Sequence, residues 1–279
     1  MLKMFSTVIK TFHLLSLDVV LGAVLCNIMF WKLPSGNTPI NELAVTVLGL
    51  TIWLIYILDR LIDNKKLSQN PTERHLFHQK YHKILWRSVC LIAGICGVSL
   101  FFLPLYGITL GLVISSFTGL YLYIIDKITK KSSVHFYKEP MTAILYVAGV
   151  WGTTYLNNLT PLYFLTGLLF LLIAFQNLFL FSLLEFKKHP DDCHTLAHYF
   201  GLKNSNVIIL LLSTTVVLIG LYAINISAFD YQKSVFILEI SMSIILLIIN
   251  QFETFFIKND RYRWVGDGIF LLPLLIIFR

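Results

Sequence analysis

Long apolar runs alternate with short polar segments along the whole chain, at about 12–32, 40–58, 84–103, 106–125, 140–157, 161–184, 206–225, 234–256 and 264–278. A helix needs roughly 20 apolar residues to cross a bilayer. Lipid also obliges each crossing segment to satisfy its own backbone hydrogen bonds. The pattern therefore predicts an all-α polytopic membrane protein with nine transmembrane helices. Pro104, Pro161 and the pair Asn157-Asn158 mark tight connections. Glu239, Asn250 and Glu253 interrupt the eighth run, and the ninth is short. Lys3 and Lys10 before the first run give it the look of a signal peptide. Asp18 interrupts that run and no small-x-small cleavage site follows, so it reads as a retained first helix.

Charge gives the runs an orientation. Of the 22 basic residues, all but Lys32, Lys233 and Arg279 fall in the N-terminal segment, in the loops after the second, fourth, sixth and eighth runs, or, for Arg87, in the first turn of the third run. The positive-inside bias puts those segments in the cytoplasm, together with the N-terminus, and the C-terminus outside. This alternation explains the net charge of +7, which needs no nucleic-acid partner.

With 57% hydrophobic and 13% charged residues, the composition excludes a soluble globular protein. Residues 1–279 read as a single transmembrane domain. Cys26, Cys90, Cys96 and Cys193 form no CxxC pair, so neither a zinc site nor a disulfide framework is expected.

The two longest loops, about 59–83 and 185–205, lie on the cytoplasmic side and follow runs four spans apart, which suggests a repeat of four-helix units. In the first, Asp59 and Asp63 share a helical face. Arg60 accompanies them, and a basic stretch including Lys65, Lys66, Arg74, His75, His78, Lys80, His82 and Lys83 follows. In the second, Glu185 ends the sixth run, and Asp191 and Asp192 come after it. Mg²⁺ takes hard oxygen ligands and shares its shell with water and substrate phosphates. A few carboxylates opposite a diphosphate suffice to hold it, and the basic neighbours supply charge-assisted hydrogen bonds. The plainer alternative is a solvated loop in which Glu185 and Asp191 pair with Lys187 and Lys188.

The two loops resemble the paired signatures of the UbiA-type intramembrane prenyltransferase superfamily. The first family signature runs Asn-Asp-x-x-Asp-Arg-x-x-Asp. Ile55-Tyr56-Ile57-Leu58-Asp59-Arg60-Leu61-Ile62-Asp63 matches its second half. The second signature has an acidic helix end and a Thr-Leu-Pro-x-x-x-Gly-like segment, to which Thr195-Leu196-Ala197-His198-Tyr199-Phe200-Gly201 is similar. The resemblance implies nine helices around a central cavity and Mg²⁺-assisted transfer of a prenyl group from its diphosphate to a hydrophobic acceptor within membrane lipid. It implies Asp59, Asp63, Glu185 and Asp191 as metal ligands, with Asp192 beside them. Arg60, Arg74, Lys127, Lys138 and Tyr123 become the diphosphate contacts. The chain departs from the family where Ile55 and Tyr56 replace its leading Asn and Asp, and where Asp191 stands six residues after Glu185 rather than four. Those departures suit a divergent branch.

Two other classes compete. One is a non-catalytic polyprenyl-lipid binder. The other is a histidine-rich membrane metal oxidase, since His75, His78 and His82 fall on one helical face and His189, His194 and His198 are clustered in the other loop. His-His dipeptides are absent. Inside the spans, Asp18 and Asp267 each cost about 2.5–3.5 kcal/mol at mid-membrane unless they face a cavity or a partner helix. An Arg263–Asp267 pair at i, i+4 is the local solution. Asn27, Gln176 and Asn177 read as interhelical hydrogen-bonding groups. Tyr121 and Tyr123 suit an interfacial aromatic belt, and Tyr123 also suits a cavity mouth.

Overall fold

A computed structural model describes residues 11–63, 73–128, 138–155, 160–190 and 195–278. Among these residues the chain is all-helical. Its helices are α1 (Leu17–Trp31), α2 (Glu42–Asp63), α3 (Glu73–Lys80), α4 (His82–Ser99), α5 (Leu105–Ile128), α6 (Lys138–Val150), α7 (Pro161–Lys188), α8 (Leu196–Ile226), α9 (Asp230–Gln251), α10 (Glu253–Ile257), α11 (Arg261–Gly268) and α12 (Leu274–Ile277). The single α-turn Gly152–Tyr155 follows α6, and the 3₁₀ turns Leu100–Phe102, Lys258–Asp260 and Ile269–Leu271 follow α4, α10 and α11.

Five helical segments are long and apolar enough to cross a membrane: Glu42–Ile62, His82–Phe102, Pro161–Lys188, Leu196–Ile226 and Asp230–Gln251. Two further apolar helices, Leu17–Trp31 and Leu105–Tyr121, are shorter. Leu91, Val98, Phe101, Leu211 and Leu218 point outward and exposed, as lipid-facing side chains do. This is a membrane protein. Each of the nine apolar runs carries helix, and the fifth and ninth do so in short pieces.

Local sequence fixes the ends. Asn41 Oδ1 accepts from Ala44 N–H at 3.0 Å and opens α2. Thr160 Oγ1 accepts from Tyr163 N–H at 3.2 Å, and Pro161 occupies the first helical position, which opens α7. The 28 residues of α7 extend about 42 Å, beyond the roughly 30 Å of a hydrocarbon core. Its last turns, with Glu185, Lys187 and Lys188, thus reach polar surroundings.

Gly201 interrupts α8 with φ 75° and ψ 162°, a conformation essentially reserved for glycine. The glycine of the second motif therefore has a backbone role. It separates the short turn Leu196–Phe200 from the long apolar helix that follows.

The packing is built on two central helices. α1 packs on α2, α6, α11 and the turn Ile269–Leu271, which brings the end of the chain against its beginning. α7 packs on α6, α8, α9 and α11. α4 lies on α2, and α5 reaches the bundle through α6. Buried polar groups tie the helices together. Asn27 Nδ2 donates to Val150 O at 2.6 Å and to Thr153 Oγ1 at 2.8 Å, joining α1 to the end of α6 and to the turn Gly152–Tyr155 that follows it. Gln176 Oε1 accepts from Ser243 Oγ at 2.6 Å, and the Ser213 hydroxyl lies 3.1 Å from that of Ser243, joining α7, α8 and α9.

Several expectations are corrected. The first motif loop contains a helix, α3, within 59–83. A break at Tyr81 separates α3 from α4, so His78 and His82 belong to different helices. α9 runs unbroken through Glu239 and Asn250 and stops at Phe252. The interruption comes where the helix ends, because Glu239 and Asn250 are turned inward and buried. The second motif loop is also shorter than 185–205, since α7 continues to Lys188 and α8 begins at Leu196.

Candidate functional site

The C-terminal turns of α2 carry the first motif. The helix is continuous from Glu42 to Asp63, which puts Asp59 and Asp63 one turn apart on the same side of its end. Asp59 and Arg60 are half-buried. Tyr56, one turn earlier, lies within electrostatic reach of Asp267, Arg60, Asp59 and Asp18. Groups from four elements thus influence one another electrostatically here: Asp18 of α1, Tyr56 to Arg60 of α2, Asp267 of α11 and Tyr146 of α6. Arg60 Nε is buried and meets no hydrogen-bond acceptor among the described residues.

Asp18 is held from its own side. His13 Nδ1 lies 2.5 Å from Asp18 Oδ2, and the His13 ring stacks on Trp264 of α11 at 4.1 Å. This contact docks the segment before α1 onto the end of the chain.

The second motif starts from Glu185. Its partner is Arg263 of α11, in a direct ion pair, which corrects both local expectations. Arg263 was expected to pair with Asp267, and Glu185 with Lys187 or Lys188. Instead Lys187 pairs with Glu253, and Lys188 with Asp260 at 2.8 Å. Burial disfavours the Arg263 charge, but the Glu185 carboxylate, Tyr262 and Asp260 together outweigh it and raise its pKa above the ordinary arginine value. α11 is therefore the bridge. Arg263 holds α7, and Asp267, four residues and about 6 Å further along the axis, faces the Tyr56 group.

The start of α8 is fixed by two other helices. Glu139 Oε1 accepts from Leu196 N–H at 3.3 Å, and Ser182 Oγ accepts from Ala197 N–H at 3.0 Å. A carboxylate at a helix N-terminus is favourably placed against the dipole. Burial nevertheless pushes the Glu139 pKa up, with the bonds from Leu196 and Ser182 and the charge of Lys138 acting the other way.

The remaining predicted residues are more scattered. Lys138 is exposed beside Glu139. Tyr123 is 60% exposed on the outer part of α5, while Tyr121 contacts Thr142 at 3.4 Å. The backbones of Asp63, Arg74 and Lys127 lie in α2, α3 and α5, but their side chains are outside the described residues, as are Asp191 and Asp192 altogether. Among the described residues, no three His, Cys, Asp or Glu side chains converge on a common metal position. His78 is buried on α3, His82 Nε2 accepts from the Trp86 indole at 3.0 Å, and His198 packs edge-on against Phe186.

No protein-family model, curated protein or solved structure matches this chain.

Tyr56 and Tyr146 are the site residues that motif reasoning passed over. Tyr56 lies one turn before Asp59, within electrostatic reach of Asp18, Asp59 and Asp267. The signal was present in the spacing, since Tyr56 shares a helical face with Asp59 and Arg60. Nothing in the local sequence of Tyr146 marks it, because only the packing of α6 brings it to Asp267.

Proposed function

We propose that this chain is an intramembrane prenyltransferase of the UbiA type, which moves a prenyl group from its diphosphate to a hydrophobic acceptor with help from Mg²⁺. The observation that carries the reading is the end of a continuous helix bearing Asp59, Arg60 and Asp63, with Asp18 and Asp267 of other helices within electrostatic reach of Tyr56 one turn earlier. Carboxylates in the last turn of a helix face the negative end of its dipole. Arg60 offsets that cost only in part, and a divalent cation reverses it.

The donor chemistry fits Mg²⁺. Asp59 and Asp63, one turn apart at the end of a continuous helix, supply two hard oxygen ligands, and water and diphosphate complete such a shell. Asp191 would approach from the second motif. When bound, the metal stabilises negative charge on the departing diphosphate. Arg60 adds hydrogen bonds to the phosphate oxygens through donors such as its unpartnered Nε. Arg74, Lys127 and Lys138 are the further phosphate contacts. Glu185, tied to Arg263, positions α11 and with it Asp267. The mutually packed rings of Tyr146, Phe170 and Phe270 would supply apolar surroundings that keep water from a cation-like allylic carbon.

The decisive experiment incubates membranes containing the chain with labelled prenyl diphosphates of several lengths, with and without Mg²⁺. Mg²⁺-dependent diphosphate release together with a prenylated lipid product is expected. Binding without release would identify a polyprenyl-lipid binder. Iron retained in stoichiometric amount through purification would favour the oxidase reading.

In this reading all nine apolar runs span the bilayer and surround a central cavity, with the N-terminus and both motif loops cytoplasmic. The short first, fifth and ninth spans then depend on their neighbours for lipid shielding. Reporter fusions after the second, fourth, sixth and eighth runs should report cytoplasmic, and a C-terminal fusion outside. A cytoplasmic C-terminus would overturn the nine-span topology.

A further inference from the structure

A groove of about 500 Å³ opens between α7, α8 and α9, away from the Tyr56 group, and is lined by Lys187, Asn206, Val207, Leu210, Asn250 and Glu253 among others. Its polar part is built from all three helices and the start of α10. Lys187 of α7 pairs with Glu253 of α10. Asn250 Nδ2 of α9 donates to Asn206 Oδ1 of α8 at 3.0 Å. Asn250 is only 6% exposed, and its Oδ1 accepts no hydrogen bond among the described residues. A buried amide oxygen left without a donor keeps an uncompensated desolvation penalty. A ligand that brings a donor removes that penalty.

The other part of the groove is apolar and faces outward. Val207 and Leu210 are about half exposed, and the same outer surface of α8 continues through exposed Leu211, Leu218 and Leu221. Leu210, Leu218 and Leu221 recur at helical spacing, forming a lipid-facing track that starts at the groove. An occupant with a polar head and long apolar chains matches both parts.

Charge narrows the head. Lys187 and Glu253 bring one cation and one anion, so the groove wall has no net charge to recruit an anion. A zwitterion suits it better. The phosphate would accept from Lys187, and an ammonium would donate to Glu253 and to the orphaned Asn250 Oδ1. A quaternary ammonium has no N–H to give Asn250, whereas a primary ammonium has three.

We infer that this groove binds a phospholipid with a zwitterionic, primary-ammonium headgroup, at a site separate from the Tyr56 group. The inference does not depend on the prenyltransferase reading.

The test uses the full chain, purified in mild detergent and stripped of lipid, with lipid adducts counted by native mass spectrometry. Phosphatidylethanolamine, phosphatidylcholine and phosphatidylglycerol with identical acyl chains are the probes. Phosphatidylethanolamine is expected to bind about tenfold more tightly than either of the others, which corresponds to 1.4 kcal/mol. Asn250→Leu removes the amide and should abolish that preference. Leu210→Trp fills the mouth from an exposed position that leaves the core alone, so it should do the same in a folded protein. Soluble glycerophosphoethanolamine, which lacks the chains, should not compete at millimolar concentration. Equal binding of the three lipids, or an unchanged preference in folded Leu210→Trp, overturns the proposal. Full competition by the soluble headgroup also overturns it, since the occupant would then not be a membrane lipid.

Discussion

Asp59→Asn is expected to lower Mg²⁺-dependent turnover of prenyl diphosphate by about 10²–10³, the loss typical when one group stabilising transition-state charge is removed. The substitution deletes a formal charge and nearly preserves shape. Asp59 lies in a group where Asp18, Asp267 and Arg60 are also within electrostatic reach of Tyr56. If Asp59 acts on the diphosphate through Mg²⁺, activity should fall far more than thermal stability. A purely structural Asp59 would give the opposite pattern, with stability falling first. Measuring Mg²⁺-dependent diphosphate binding alongside melting separates the two. A folded Asp59→Asn/Asp63→Asn double variant that still binds prenyl diphosphate in a Mg²⁺-dependent way would sink the assignment.

The helices were legible in the sequence because hydropathy over about 20 residues reports lipid contact directly. What the pattern misjudged was the meaning of polar residues inside a run. Glu239 and Asn250 were read as interruptions, yet α9 passes through both. A polar side chain ends a helix only when its backbone bonds are better made elsewhere, and turning inward avoids that conflict. Asn250 illustrates this, since its amide is used by Asn206 on the neighbouring helix.

Spacing was likewise sound about which residues share a face and silent about what faces them. Arg263 and Asp267 do stand one turn apart on α11. Glu185, 78 positions away in the chain, nevertheless takes the arginine, because α11 lies against the end of α7. The first motif was readable as a helix end bearing two acids. That Asp18 and Asp267 join it depends on how the first and last helices pack, which no local pattern encodes.

That packing has one tight point. A Cβ added at Gly266 would lie 2.5 Å from Phe181 Cε1 and 2.6 Å from Asn177 Oδ1, both on α7. Gly266→Ala must therefore push α11 outward or displace a buried amide and a ring that packs edge-on against Tyr262. Overpacking of this kind costs about 1–3 kcal/mol. Gly268, two residues on, has nothing within 4 Å of its would-be Cβ, so Gly268→Ala should stay within about 0.5 kcal/mol of the parent protein. The functional consequence follows from the neighbours of Gly266. Arg263 precedes it by one turn and Asp267 follows it directly, so moving α11 disturbs the Glu185 ion pair and the Tyr56 group together. A misplacement of about 1 Å remote from the chemistry is enough to cost 10²-fold in rate. Phe181→Leu removes the ring edge, and the double variant Gly266→Ala/Phe181→Leu should recover part of both losses. A double-mutant cycle by thermal unfolding and turnover should give a coupling of about 0.5–3 kcal/mol, as expected for residues in direct contact. Additive effects, or a Gly266→Ala protein as stable and active as Gly268→Ala, would mean that α11 does not hold the two motif helices in register.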